Sequence, residues 1–221
     1  MPTHLLHRAE PTRFEFPAEI TAVHPGGVVE LRATAFYARS GGQVGDTGSI
    51  GDVPVLDTVF DPAGTGVVHH VCDPELAASL SPGSAVDARV DRLRRERVMA
   101  LHTAQHLLFL ATERVIGPGS LVGGGDIAVE RARIDVAWPA AAGGFPIEEV
   151  RAAVARLVEA DLPIERTADA ADPDRWWWRI DGHAAVPCGG THVAHTGLVG
   201  PVEVVANRKG SRAVRVTVTQ R

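Results

Sequence analysis

Two pairs of soft-metal donors set the strictest condition on how this chain folds. His102-Thr103-Ala104-Gln105-His106 places two imidazoles four residues apart, and Cys188-Gly189-Gly190-Thr191-His192 does the same far downstream with a thiol and a third imidazole. On a helix, positions i and i+4 share a face, so His102 and His106 can reach one ion. The glycines after Cys188 let the backbone turn tightly around that ion. If the two pairs meet, they form a His₃Cys set, which suits Zn²⁺ better than hard, oxygen-seeking cations. Taken alone, the first pair is equally at home as core histidines, because Leu101, Leu107 and Leu108 surround it with apolar side chains. The second pair tips the reading to metal. Four protein donors describe a closed structural site more readily than a catalytic one with a water position. His183 and His195 lie close to the second pair in sequence and can compete as donors. Thr103 stands where the H-E-x-x-H metalloprotease motif needs its glutamate, which removes that reading.

The hydrophobic period divides the chain in two. From Arg13 to about Arg89 the runs are short and strand-like: 19–23 and 27–33 flank a turn at His24-Pro25-Gly26, and 53–60, 66–71 and 85–90 follow. Regular turns between short strands point to a small β-barrel. Asp91 to Ile116 reads as one long helix, with Asp91 as N-cap, Gly117-Pro118-Gly119 as the stop, and Leu93, Val98, Leu101, Leu108, Ala111 and Val115 turned inward. Beyond it come a glycine-rich loop at 123–125, a strand over 132–137, and a helix over 147–160 with Val150, Val154, Leu157 and Val158 inward. A strand over 163–167 and a hairpin of 199–206 with 212–219 around Asn207-Arg208-Lys209-Gly210 complete the pattern. The expected fold is therefore α+β, with a small N-terminal β-barrel domain over 1–90 and an α+β metal-binding domain over 91–221.

Composition narrows the partners and the compartment. The 221 residues are 45% hydrophobic and carry a formal net charge of −5, so a globular core is expected and no global positive field would gather nucleic acid. Contact with RNA would need local patches. Arg89, Arg92, Arg94, Arg95 and Arg97 cluster at the helix start, where positive charge opposes the helix dipole, and Arg208, Lys209, Arg212 and Arg215 cluster in the terminal hairpin. An ordinary charged surface explains either cluster equally well. The two cysteines, Cys72 and Cys188, suit free thiols in a reducing compartment. No signal-type segment or membrane-spanning run is visible, so a cytoplasmic protein without membrane contact is expected.

Three motifs in order resemble those of the AlaX-type alanyl-tRNA editing proteins, freestanding relatives of the editing domain of alanyl-tRNA synthetase. They are Phe36-Tyr37-Ala38-Arg39-Ser40-Gly41-Gly42-Gln43-Val44-Gly45-Asp46-Thr47-Gly48, His102-Thr103-Ala104-Gln105-His106-Leu107-Leu108 and Pro187-Cys188-Gly189-Gly190-Thr191-His192-Val193. The S-G-G-Q segment separates the alanine branch from the threonyl-tRNA synthetase editing domains, which share the donor pairs. The resemblance implies one Zn²⁺ per chain held by His102, His106, Cys188 and His192. It also implies hydrolysis of serine, and often glycine, wrongly attached to the tRNA for alanine. It further implies an N-terminal barrel ahead of the zinc domain, and no aminoacylation, since no adenylation domain is present. The chain departs from the family at Ala38, where proline is usual, in the run Trp176-Trp177-Trp178, and at Gly119-Ser120-Leu121-Val122, where the synthetases carry an upstream glutamine.

On this reading Thr103, Gln105, Thr191, Gln43 and Asp46 are the candidate catalytic residues. Gln43 and Asp46 are expected to reach a cleft between the domains. Thr191 either donates to substrate or orders its loop, and Gln105 is either in the site or a solvated helix position. Arg92, Arg95, Arg208, Lys209 and Arg212 are the candidate tRNA contacts of a monomer. The tryptophan run can stack a terminal base, although one or two of its rings suit the core. Two other classes stay open: a zinc-stabilised module that binds tRNA or a synthetase without chemistry, and a zinc hydrolase acting on a small ester or amide.

Overall fold

Alternating apolar and polar side chains, broken by turns, produce strands as far as Val90, and from Arg92 the period lengthens to that of a helix. The computed structural model describes all 221 residues, Met1–Arg221. The fold is α+β and divides into two compact units, Met1–Ser40 with Val44–Glu96, and Gly41–Gln43 with Arg97–Arg221. No helix is long and apolar enough to cross a membrane.

In the first unit six strands close into a barrel in the order Glu15–His24, Val28–Leu31, Val68–Cys72, Val53–Phe60, Gly48–Ile50 and Ala85–Val90. All of its pairings are antiparallel, and closure leaves no unpaired edge. Strand alternation turns Phe16, Ala18 and Ile20 inward from one strand and Val68, His70 and Cys72 from another. The short strand Gly48–Ile50 has no pattern of its own in the sequence and is set by its two neighbours. Phe16 and Phe36 meet edge to face at 6.0 Å within this core. Burial pushes the Cys72 thiol up to about 11, as expected of an inert packing thiol, and both cysteines are free.

A fully buried ion pair ties this unit together. Arg95, on the first turn of the long helix Arg92–Ile116, is 0% exposed, and Asp46 is 2% exposed. Arg95 Nε donates to both Asp46 oxygens, at 3.1 and 2.9 Å, and Nη2 donates to Asp46 as well. Nη1 donates to the Pro11 carbonyl at 2.8 Å and Nη2 also donates to the Ala35 carbonyl at 2.6 Å. Asp46 also accepts from the Tyr37 backbone N–H at 2.6 Å. This corrects two expectations. Asp46 is not poised for substrate, and Arg95 is not a surface cation for RNA, because each satisfies the other away from water. Leu93, expected inward, is 81% exposed, since the first helical turn has apolar packing on one side only.

The second unit is built on two sheets. One has the strand order Val202–Lys209, Ala213–Gln220, Ala132–Ala137, Asp126–Ile127, and the other has Ile164–Ala168, Trp176–Ile180, Val186–Pro187. The helix Ile147–Glu159 turns Val150 and Val154 inward. From Val98 to Leu108 every residue of the long helix is buried, so this stretch is covered all round rather than amphipathic. The terminal hairpin turns at 210–212, later than the sequence suggested, because its strands continue in register through Lys209↔Ala213. The strand Trp176–Ile180 was missed, since three consecutive tryptophans carry no alternation.

Two outcomes test this packing. Asp46→Ala strands a buried guanidinium and should cost about 3–5 kcal/mol in urea unfolding, whereas replacing both partners with apolar residues should recover part of the loss. His70 is buried, with Nδ1 donating to the Val29 carbonyl at 3.0 Å and Nε2 accepting from the Thr34 hydroxyl at 2.8 Å. Burial lowers its pKa to about 4. The unfolded chain therefore takes up a proton at this residue as pH falls through about 6.5, before the folded chain does. Stability from His70 is complete above pH 6.5 and declines toward pH 4 by about 3 kcal/mol. His70→Leu should flatten the pH dependence of unfolding over that window, and an unchanged slope would refute the assignment.

Candidate metal centre

The second unit brings both donor pairs together. One ligand atom from each of His102, His106, Cys188 and His192 lies within 4.8 Å of the others, so the group could hold a metal ion. His102 and His106 project from one face of the long helix, and Cys188 and His192 bracket the turn after strand Val186–Pro187. Cys188 Sγ is 3.5 Å from His102 Nε2 and 3.2 Å from His192 Nε2. Tetrahedral coordination with Zn–N near 2.0–2.1 Å and Zn–S near 2.3 Å sets donor separations of roughly 3.3–3.7 Å. The two separations from Cys188 are close to these values, and all four donor atoms lie within 4.8 Å of one another, so the set could take such an ion. His183 and His195 are not in the cluster: His195 is exposed beside Asp161, and His183 lines a separate cavity with Leu110 and Arg114.

The hydrogen bonds behind the rings leave Nε2 facing the donors. His102 Nδ1 donates to Gln43 Oε1 at 2.8 Å, and His192 Nδ1 donates to Thr103 Oγ1 at 3.1 Å. This is how metal-binding imidazoles are commonly oriented and made more basic. Gln43 does more than orient one ring. Its Oε1 also accepts from the Thr191 backbone N–H at 3.1 Å, and its Nε2 donates to Thr191 Oγ1 at 2.9 Å. One amide thus joins the S-G-G-Q segment, the helix histidine and the cysteine loop. Thr103 likewise accepts from the Val193 N–H at 3.4 Å, which links the helix to the same loop.

Two glycines are required by close approach. A Cβ on Gly190 would lie 2.2 Å from Cε1 of His102, and one on Gly42 would lie 2.4 Å from the Gly125 carbonyl. Gly42 also has φ +86°, in the left-handed region. The Ile127 N–H donates to the Gly42 carbonyl at 2.8 Å, which seats the segment that carries Gln43.

Burial governs the electrostatics. Desolvation drives the pKa of His102 and His192 well below the ordinary value and that of His106 to about 4, with the neighbouring ring charges adding to the shift in His102 and His192. The rings are therefore neutral, the form that binds a cation. Burial raises the Cys188 thiol, while the Gly190 N–H and the Arg166 charge oppose the rise. Trp178 is fully buried and packs on His106 at 4.6 Å between ring centroids, which makes it one wall of the centre that the sequence did not assign.

The remaining candidates divide by position. Thr103, Thr191 and Gln43 are completely buried against the donors and position them. Gln105 is neither solvated nor in the cluster: its Nε2 donates to the carbonyls of Arg133 at 2.8 Å and Asp126 at 3.3 Å, which pins the helix to a strand. Arg92 is exposed and paired with Glu96. Lys209 pairs with Asp135 at 2.5 Å, Arg208 donates to the Trp138 carbonyl at 2.5 Å, and Arg212 is exposed. Gln43→Ala should weaken Zn²⁺ affinity about 10- to 100-fold in a chelator competition, with the fold retained by circular dichroism. Unchanged affinity would show that the amide contributes nothing to the donors.

Residues 179–217 match the family described as the threonyl and alanyl tRNA synthetase second additional domain. Over 207 residues the chain is 33% identical to the alanine–tRNA ligase of Bordetella petrii, a match covering 85% of this chain and 23% of the ligase. The alanine–tRNA ligase of Rhizobium meliloti is 35% identical over 215 residues, covering 84% of this chain and 24% of the ligase. That of Methylacidiphilum infernorum is 29% identical over 222 residues, covering 91% and 24%. The chain spans about a quarter of the length of these curated relatives. With its three ordered motifs and its donor cluster, the chain is similar over most of its own length to one part of alanine–tRNA ligases, which supports an AlaX-like module.

Proposed function

We propose that this chain is an aminoacyl-tRNA editing hydrolase. In this reading it acts in trans on the tRNA for alanine, removes serine, and holds one Zn²⁺ in the His102, His106, Cys188 and His192 cluster. The observation that carries the reading is that cluster, set in a module related along most of its length to alanine–tRNA ligases. The division of labour places the barrel in 1–90 and the chemistry in 91–221, in a cytoplasmic monomer.

Hydrolysis adds a water oxygen to the ester carbonyl carbon and breaks the bond from that carbon to the ribose oxygen. The ribose oxygen takes a proton, and the free amino acid and uncharged tRNA depart. Zn²⁺ in the cluster would supply Lewis acidity beside that carbonyl. The protein's part is preorganisation. Gln43 and Thr103 fix two imidazoles, Gly190 lets the cysteine loop close on His102, and Trp178 keeps water from the rings. Access is from the Cys188 side, because Cys188 is half-buried and lines an open cleft while the three histidines are buried. Selectivity follows from polarity: a site that hydrogen-bonds the serine hydroxyl leaves polar groups unpaired with alanine, and such sites reject the lacking substrate by roughly 10⁴–10⁵.

The complete set of four protein donors favours a second reading, a structural metal module that binds tRNA without chemistry. Deacylation of Ser-tRNA and Ala-tRNA for alanine separates the two. We expect rapid loss of serine, sparing of alanine, and at least a hundredfold loss of rate in His102→Ala together with its metal. Absence of turnover in a folded protein carrying one Zn²⁺ would establish the second reading, and equal hydrolysis of both esters would remove the claimed selectivity.

A further inference from the structure

A cleft of about 340 Å³ opens beside Cys188, lined by Asp172, Arg175, Trp176, Pro187, Cys188 and Gly189 among others. Its size falls within the range of roughly 300–1,000 Å³ typical of small-ligand sites. The cleft is built, not incidental. The Cys188 N–H donates to the Trp176 carbonyl at 2.8 Å, so these two residues are neighbours across the sheet edge. The loop that forms the far wall folds back on itself, with the Asp169 N–H donating to the Arg175 carbonyl at 2.9 Å and the Arg175 N–H to the Asp172 carbonyl at 3.0 Å. The Arg166 guanidinium lies 5.3 Å from the Trp176 ring centroid and fixes that ring. Trp176 and Trp178 are two apart on one strand and share a face, so an aromatic wall runs from the donors to the cleft.

Of these groups only Cys188 is itself one of the four donors. We infer that the cleft is the subsite for the 3′-terminal nucleoside of an RNA, with its base against Trp176 and its ribose against Cys188. The inference rests on the editing reading above. An ester carried on the terminal ribose has to reach the cluster, and Cys188 belongs to both cluster and cleft, so the ribose lies against it. The base then lies one ring farther out, where the aromatic surface is Trp176. Bases of any identity stack on such a surface. The Asp172 carboxylate can accept from a ribose hydroxyl, and Arg175 offers a guanidinium for the phosphate on the 5′ side.

The test uses the full-length, Zn²⁺-loaded chain. Adenosine 5′-monophosphate is titrated by tryptophan fluorescence, and KM and kcat are measured for deacylation of a Ser-charged RNA hairpin with a single-stranded 3′ end. We expect the nucleotide to quench fluorescence, and Trp176→Ala to raise both its Kd and the hairpin KM by roughly 5- to 100-fold, with kcat and metal content near wild type. Trp176→Phe should restore most of the binding. Gly189→Leu, placed where a Cβ meets no atom within 4 Å, should block the cleft, and with its metal content measured alongside it serves if Trp176→Ala fails to fold. Deacylation at unchanged KM in Trp176→Ala or Gly189→Leu overturns the subsite and leaves the editing activity standing. Trp176-dependent nucleotide binding without any deacylation does the reverse. A fall in kcat with loss of metal and no change in KM would make Trp176 a purely structural residue and end the proposal.

Discussion

The desolvation of three imidazoles and a thiol in one small volume is the constraint around which the second unit is arranged. Neutral rings are the only form that such burial tolerates, and the depressed pKa values of His102, His106 and His192 express this. Neutral rings gathered this closely still need orientation, because each has two nitrogens and only one can face the others. For His102 and His192 the protein supplies it with uncharged partners, Gln43 and Thr103, not with carboxylates. An uncharged frame leaves Cys188 as the only donor able to bring a negative charge to a bound cation. Arg166, opposite Trp178 in the strand register, adds a positive field that favours the thiolate.

How much of this was legible in the sequence depended on the range over which each residue acts. The four donors were legible because each pair is local, with a spacing that is itself a property of backbone geometry. The barrel strands were legible from alternation, and the long helix from its period and its cap, where the Asp91 carboxylate accepts from the Arg94 N–H at 3.1 Å. Gln43 stood out as part of a motif, but its work depends on bonds to residues 59 and 148 positions away, which no pattern encodes. Asp46 and Arg95 look in the sequence like a site carboxylate and a phosphate-binding cation. They are instead each other's partner across 49 positions, and only the fold brings them together. The glutamine between the zinc-type histidines was ambiguous because a helix of unknown surroundings can present any of its faces to packing. Here every face of that stretch is covered.

The same burial revises the charge an RNA would meet. Five arginines near the helix start read as a basic patch, yet Arg95 is fully neutralised inside the barrel unit and Arg92 is paired with Glu96. In the terminal hairpin, Lys209 and Arg215 converge on Asp135, whose carboxyl they hold well below the usual carboxylate range. Much of this positive charge is thus paired with carboxylates of the same chain. Recognition of a polyanion by this module would lean less on a broad field than on a few placed contacts and on the shape of the aromatic wall near Cys188.

The donor geometry has a further consequence in polymer terms. An ion shared by His102 and His192 would be a cross-link that closes a long loop of the second unit, including its three-stranded sheet and two strands of the four-stranded one. Closing such a loop lowers the entropy of the unfolded chain, and the gain grows only slowly with loop length. The two donor pairs would then act as a reversible clasp, so that the metal's off-rate and the unit's resistance to proteolysis are two measures of one event. With such an ion removed, the open clasp would expose backbone that the closed one protects.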